Sequence, residues 1–243
     1  MGQNELAVAQ SRSASIMEDQ DFDASLFENF DSTDILIPKI LLMQSTSEMV
    51  QQEKRNLGEM VDSVSGEVIC KRGEKIGFYP LFLFKTWDVS KLVGTRYQYQ
   101  ETLPFTPENA TLKWEDVNAA GEQIRNTQCL NFYVMLASQI DDPASFPYLI
   151  KFKSTSYKTG KALVTHFAKA NMLRKVPWFK QVVMGTTKES NDDNTWYVPT
   201  IEDGPLFDRS SEADLGRMAK CKQWSQVVKS GKVKTDQSEE TPF

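Results

Sequence analysis

KIGFYPLFLFKTWDV, residues 75–89, is the stretch that decides the fold class. It is dense in aromatics and too continuous for a surface helix, so it reads as the strongest β stretch of the chain. Working outward, its neighbours are also extended. TRYQYQ (95–100) alternates with period two, and QIRNTQCLNFYVMLAS (123–138) and PYLIKFKST (147–155) are two further strands, joined by the turn IDDPASF. In the KFK triplet the alternation puts Lys151 and Lys153 on one face and turns Phe152 inward.

The rest of the chain fits the same frame. ILIPKILLMQ (35–44) is apolar, and Pro38 limits it to an edge strand or a helix start. GEMVDSVSGEVI (58–69) is two short strands around a turn at Asp62–Gly66. Glu101–Gly121, with Pro104, Pro107 and Gly121, reads as a long loop. WFKQVVMGTTK and NTWYVPTI form a hairpin across the polar connection ESNDD. Helical spacing of Ala162, Leu163, His166, Phe167, Ala170 and Leu173 predicts a helix from Ser156 through Lys175, ended by Pro177. A second helix is expected from about Ser211 to Lys229, with Ser210 or Ser211 as N-cap and Gly231 as the stop. The fold class expected is mainly β with added helices (α+β): an OB-like, partly open β-barrel with disordered acidic termini. The domain organisation is an acidic N-terminal arm over 1–34, one binding domain over 35–230, and a flexible acidic tail over 231–243. The arm contains FDASLFENF (22–30), an amphipathic turn with a docking character.

Charge is distributed unevenly. Residues 1–34 hold eight acids against Arg12, and the last nine residues hold Asp236, Glu239 and Glu240 with no base. The acidic pI therefore conceals a middle section, 35–234, with 27 basic and 22 acidic residues and a net charge of +5. Three dispersed cysteines, Cys70, Cys129 and Cys221, make neither a disulfide framework nor a C-x-x-C pair, which points to a reducing compartment. No apolar run approaches the ~20 residues of a membrane span. The N-terminus has no secretory apolar core, and Leu6 stands where a myristoylation signal needs Ser or Thr. The expected location is cytoplasmic, the host cytoplasm if the protein is viral, with no membrane partner.

Catalytic constellations are missing from the pattern. The one histidine, His166, sits on the predicted helix as a packing residue would. No G-x-S-x-G occurs. Gly160–Lys161 fails as a phosphate loop, because Thr155 replaces its first glycine and Ala162 replaces the magnesium-holding hydroxyl. The acid pairs Asp141–Asp142, Asp192–Asp193 and Glu202–Asp203 lie in predicted turns, where Asp serves the backbone. Neither an enzyme nor a cofactor or metal is expected.

The chain's distinctive feature is charge mixed with aromatics. From Lys151 to Lys188 there are nine basic residues and no acid, interleaved with Phe152, Tyr157, Phe167, Trp178 and Phe179. Upstream, Lys71, Arg72, Lys75, Lys85 and Lys91 surround Phe78, Tyr79, Phe82, Phe84 and Trp87. Single-stranded nucleic acid needs this mixture, cations along its phosphates and flat π faces for its unstacked bases. Lysine outnumbers arginine eight to one in the segment, which suits non-specific tracking better than base readout. The expected phosphate contacts are Lys151, Lys153, Lys158, Lys161, Lys169, Arg174, Lys175 and Lys180. The expected stacking residues are Trp87, Tyr157, Trp178 and Phe179.

The chain ends SEETPF. Glu239, Glu240, Thr241, Pro242 and Phe243 resemble the tip of bacterial single-stranded DNA-binding proteins, whose acidic tails end in Pro-Phe. The segment FKSTSYKTGKALVTHF is similar to segments of phage-encoded versions. The resemblance implies a non-enzymatic, sequence-independent protein of viral DNA replication, recombination or repair. It also implies that Glu239, Glu240, Pro242 and Phe243 recruit replication or recombination proteins, the aromatic filling a pocket while a basic residue captures the α-carboxylate. A single-strand annealing or transcription accessory factor, a metal-dependent nuclease and a structural or inhibitor protein of a virus are the alternatives. Self-association is left open.

Overall fold

The computed structural model describes residues 36–192 and 194–231, together with the backbone of 234–235. The acidic arm and the tail tip, with the expectations placed on them, lie outside the described residues. The strands are β1 (Leu36–Ile37), β2 (Ile40–Leu42), β3 (Met60–Asp62), β4 (Val68–Cys70), β5 (Ile76–Val93), β6 (Arg96–Pro104), β7 (Glu115–Val117), β8 (Gln123–Leu136), β9 (Tyr148–Phe152), β10 (Lys180–Ser190), β11 (Thr195–Leu206) and β12 (Lys234–Thr235). The helices are α1 (Glu48–Gln51), α2 (Tyr157–Met172) and α3 (Glu212–Lys229).

The aromatic stretch forms the middle of β5, an 18-residue strand that is the spine of a seven-stranded sheet. β5 runs antiparallel to β8 from Phe78↔Leu136 to Lys91↔Ile124. Each spine strand changes neighbours along its length. β10 pairs with β5 at Ile76–Phe78, and β6 takes over at Thr86–Val93. On the other side β9 pairs with β8 at Leu130–Val134, and β7 takes over at Gln123–Arg125. Pro80 can sit inside so long a strand because the register shifts beside it, between Pro80 and Phe82. Among the described residues the sheets do not close into a barrel. Two small sheets complete the fold, β2-β3-β4 and a parallel β1–β12 pair. The mainly β, α+β class expected from the sequence is the class the structure has.

Alternation on β8 builds two cores, one on each face. Phe132 and Val134 join Phe78, Leu130 and Phe152 beneath α2, which contributes Leu163 and leans Phe167 against them. Tyr133 and Met135 join Tyr79, Leu81 and Leu149 beneath α3, which contributes Cys221 and Val228. Each fully buried Phe is worth roughly 1.5–3 kcal/mol of burial. Gly160 brings α2 close to the sheet, since a Cβ there would lie 2.7 Å from Phe152 Cβ and 3.0 Å from Leu130 Cδ1. All three cysteines are buried and free, and burial pushes the thiols of Cys129 and Cys221 up to about 12.

Local signals mostly act where the sequence puts them. Asp62 Oδ1 accepts from the Val64 and Ser65 amides, and Gly66 takes φ +70 to close the turn. Ser211 caps α3, accepting from the Asp214 amide at 3.4 Å. Two differences stand out. α2 stops at Met172, because Arg174 adopts φ 51 and Val176–Pro177 starts a 3-10 turn. The expected loop Glu101–Gly121 contains the end of β6 and the three-residue strand β7. All of β7's residues are exposed, so no apolar alternation could announce it.

Candidate nucleic-acid interface

The expected cations divide into two groups. Lys151 and Lys153 do share a face of β9, as alternation requires, but both are only partly exposed there. Both ammonium groups reach Asp88 on β5, Lys151 Nζ at 2.8 Å from Oδ1 and Lys153 Nζ at 3.0 Å from Oδ2. Thr102 Oγ1 donates to the same carboxylate at 2.9 Å. Burial pushes the Asp88 carboxyl up, but the two ammoniums outweigh it and hold it below the usual carboxylate range. Lys180 is likewise engaged, 2.7 Å from Asp203. Lys151 and Lys153 thus neutralise a buried acid and Lys180 an exposed one, so all three expected phosphate contacts are engaged within the chain.

Lys158, Lys161 and Lys169 are exposed on the outer face of α2, where the spacing of 3 and 8 residues keeps them on one side. They run along about 16 Å of helix at 1.5 Å per residue. Arg174 and Lys175 follow, exposed, at the helix end. Lys175 Nζ lies 5.2 Å from the centre of the Phe179 ring.

The aromatics divide in the same way. Trp178 is 7% exposed, packed into the second core with Tyr79 and Val228, so the expectation of a stacking platform there is corrected. Phe179 is stacked on His166, with centroids 5.5 Å apart and planes at 15°. His166 Nε2 pairs with the Pro177 carbonyl at 2.8 Å, and the residue is a packing group. Trp87 and Tyr157, by contrast, line one cleft of about 360 Å³.

That cleft has a floor on the spine and two rims. Trp87 on β5 and Gln128 on β8 are direct cross-strand partners, and Asn126 follows two residues along. One rim is Leu112 and Trp114, just before β7, and the other is Ser154 and Tyr157, at the start of α2. Trp114 is half exposed, and Arg125 bridges it to β6, its guanidinium 5.2 Å from the Trp114 ring centre and 3.8 Å from that of Tyr97. Trp87 stacks on Phe105 at 6.1 Å, and Lys85 Nζ lies 5.1 Å from the Phe105 centre. Lys161 Nζ lies 5.2 Å from the centre of Tyr157. The exposed lysines of α2 therefore begin where the cleft ends. Cations over aromatic faces are individually worth about 0.5–1 kcal/mol at exposed sites, and they hold the rings in place.

Sequence reasoning did not single out Trp114, Leu112, Asn126, Gln128 or Ser154. A tryptophan beside Lys113 inside a polar, proline-bearing segment was the available signal, since nothing in such a loop needs a large aromatic for its own packing. Elsewhere two of the acid pairs are engaged within the chain, and Glu202–Asp203 lies in β11 rather than in the expected turn. Asp141 pairs with Arg217 at 2.5 Å, Glu202 with Lys75 at 2.7 Å, and Asp142 accepts from the Ala144 amide. Among the described residues no group of three or more His, Cys, Asp or Glu is placed to hold a metal ion, and no helix is long and apolar enough to cross a membrane.

Residues 4–234 match a family model described as Pam3 phage gp34-like protein, and the chain belongs to that family. No curated protein matches it, and no solved structure matches it.

Proposed function

We propose that this phage protein is a non-enzymatic, sequence-independent single-stranded DNA-binding protein of viral DNA replication, recombination or repair, whose acidic C-terminal tip recruits partner proteins. The observation that carries the reading is the continuity of the aromatic cleft with the exposed lysines of α2. Tyr157 belongs to both, as a wall of the cleft and as the first residue of the helix. A strand lying on this surface meets cations at Lys158, Lys161 and Lys169 for its phosphates and flat rings at Trp114 and Tyr157 for its bases. Each stacked base contributes ~1–3 kcal/mol with little discrimination among bases. Lysine ammoniums act as point charges on the backbone and add no base readout. The tip residues Glu239, Glu240, Pro242 and Phe243 serve as the partner hook.

The test is a fluorescence-anisotropy titration of a labelled ~30-nucleotide single strand, with duplex as control, over a range of salt. Tight single-strand binding, weak duplex binding and a log–log salt slope of about −0.7 per neutralised phosphate are expected. Flat titrations at low salt would refute the reading.

A further inference from the structure

The cleft holds chemistry that neither stacking nor phosphate tracking uses, and its role rests on the proposed binding of single strands. Asn126 and Gln128 stand two residues apart on β8, so their side chains leave the same face. Each amide is half committed. Gln128 Oε1 accepts from the Tyr157 hydroxyl, and Asn126 Nδ2 donates to the Lys113 carbonyl at 2.9 Å. Among the described residues, a donor (Gln128 Nε2) and an acceptor (Asn126 Oδ1) remain without a bond. Across the ladder from Gln128, the Trp87 indole N–H is buried with no acceptor among the described residues. Buried donors are seldom left unmade. On the rim, Ser154 is held at φ 49, a left-handed conformation that costs a non-glycine residue about 1 kcal/mol or more and that collects at ligand clamps.

We infer that the cleft takes one unpaired nucleobase by its Watson–Crick edge. Every base offers a donor and an acceptor side by side on that edge: the amino group and N1 of adenine, the amino group and N3 of cytosine, the N1–H and O6 of guanine, the N3–H and O4 of thymine. Adenine and cytosine show the pair in one order and guanine and thymine in the reverse, so one free amide donor and one free amide acceptor serve all four when the base turns over about its glycosidic bond, and the site tolerates any sequence. In a duplex the same edge is consumed by the complementary strand. Discrimination of single from double strands then arises in the cleft, while affinity arises along α2. A volume of about 360 Å³ stands at the small end of ligand pockets, about 300–1,000 Å³.

The experiment compares a thymidine 30-mer with the same strand carrying N3-methylthymine throughout, which keeps charge, sugar and π face but blocks the edge. Full-length protein and the Asn126→Ala/Gln128→Ala variant are titrated with both, and free thymidine monophosphate is added as a competitor. The native protein is expected to bind the methylated strand tenfold or more weakly, and the variant to bind both strands alike at the weaker level. Gln128→Glu, which keeps an acceptor for Tyr157 and removes the donor, replaces the double variant if the latter does not fold. Equal, tight, salt-sensitive binding of both strands by the native protein would overturn the edge-reading site and leave the proposed function standing. No binding of either strand would remove the function beneath it. Displacement by the monophosphate at concentrations near those of the oligomer would mark a free-nucleotide site and also overturn the inference.

Discussion

The Lys151 ammonium lies 2.8 Å from the Asp88 carboxylate, and the Asp88 side chain is only 3% exposed. A lysine chosen by its sequence position as a phosphate contact is thus the part-buried counter-ion of an interior carboxylate. With Lys153 and Thr102 completing the shell, the carboxylate has three charge-assisted or neutral donors around it.

The first prediction concerns that shell. Because the folded Asp88 carboxyl is held below its unfolded value of about 3.9, its contribution is fully present above that value and is lost as pH falls through the folded value. Urea midpoints are expected to be flat from about pH 7 to pH 5 and to fall at more acidic pH. Asp88→Asn removes the counter-ion of two part-buried lysines. It is expected to cost about 3 kcal/mol at pH 7 and to flatten the acid dependence.

Gly160→Ala tests the approach of α2 to the sheet. The new methyl meets Phe152 Cβ, which is backbone-anchored and cannot swing away. Overpacking of about 1–3 kcal/mol outweighs the roughly 1 kcal/mol gained in helix propensity. Thermal unfolding is expected to shift down.

Trp178 and Trp114 make opposite expectations testable with one assay pair. Trp178→Ala opens the second core and should destabilise by about 3–5 kcal/mol in urea titrations. Trp114→Ala, at a half-exposed rim position, should leave stability within about 0.5 kcal/mol while weakening single-strand affinity by about 1–3 kcal/mol.

Replacing Lys158, Lys161 and Lys169 together by Ala should leave the circular dichroism and melting curve nearly unchanged, since all three are exposed. The single-strand salt slope is expected to fall by about 2 units, at about 0.7 per lost phosphate contact. An unchanged slope would mean that the strand runs elsewhere.

Deleting residues 236–243 should strengthen single-strand binding or leave it unchanged, because acidic side chains that compete with phosphate are removed. Capture of replication proteins from infected cells in pull-downs should disappear. Weaker DNA binding in the truncated chain would count against the hook.

The sequence disclosed the elements better than their meetings. β5 was legible because its aromatics run too densely for any exposed element, and the inward turn of Phe152 followed from period two alone. That Lys151 would find Asp88 was not legible, since the two residues are 63 positions apart and meet only through the β5–β8–β9 ladder. The cleft escaped for the same reason. Its walls come from β5, the segment before β7, β8 and the start of α2, and no local pattern couples Trp114 to Tyr157. Trp178 misled because a tryptophan between Pro177 and Lys180 has the composition of a surface platform, while the 3-10 turn directs it into the core.

The parallel pairing of β1 with β12 sets Leu36 against Lys234 and Ile37 against Thr235, so the described chain is a ring fastened at a two-rung clasp. Ile37, fully buried in the second core, is the anchor of that clasp. A cut after Thr235 leaves the ring shut, whereas a cut two residues earlier opens it and takes from β1 its backbone partner. The harmless boundary for shortening this protein is therefore set by topology and falls after Thr235, not at residue 231 just past the end of α3.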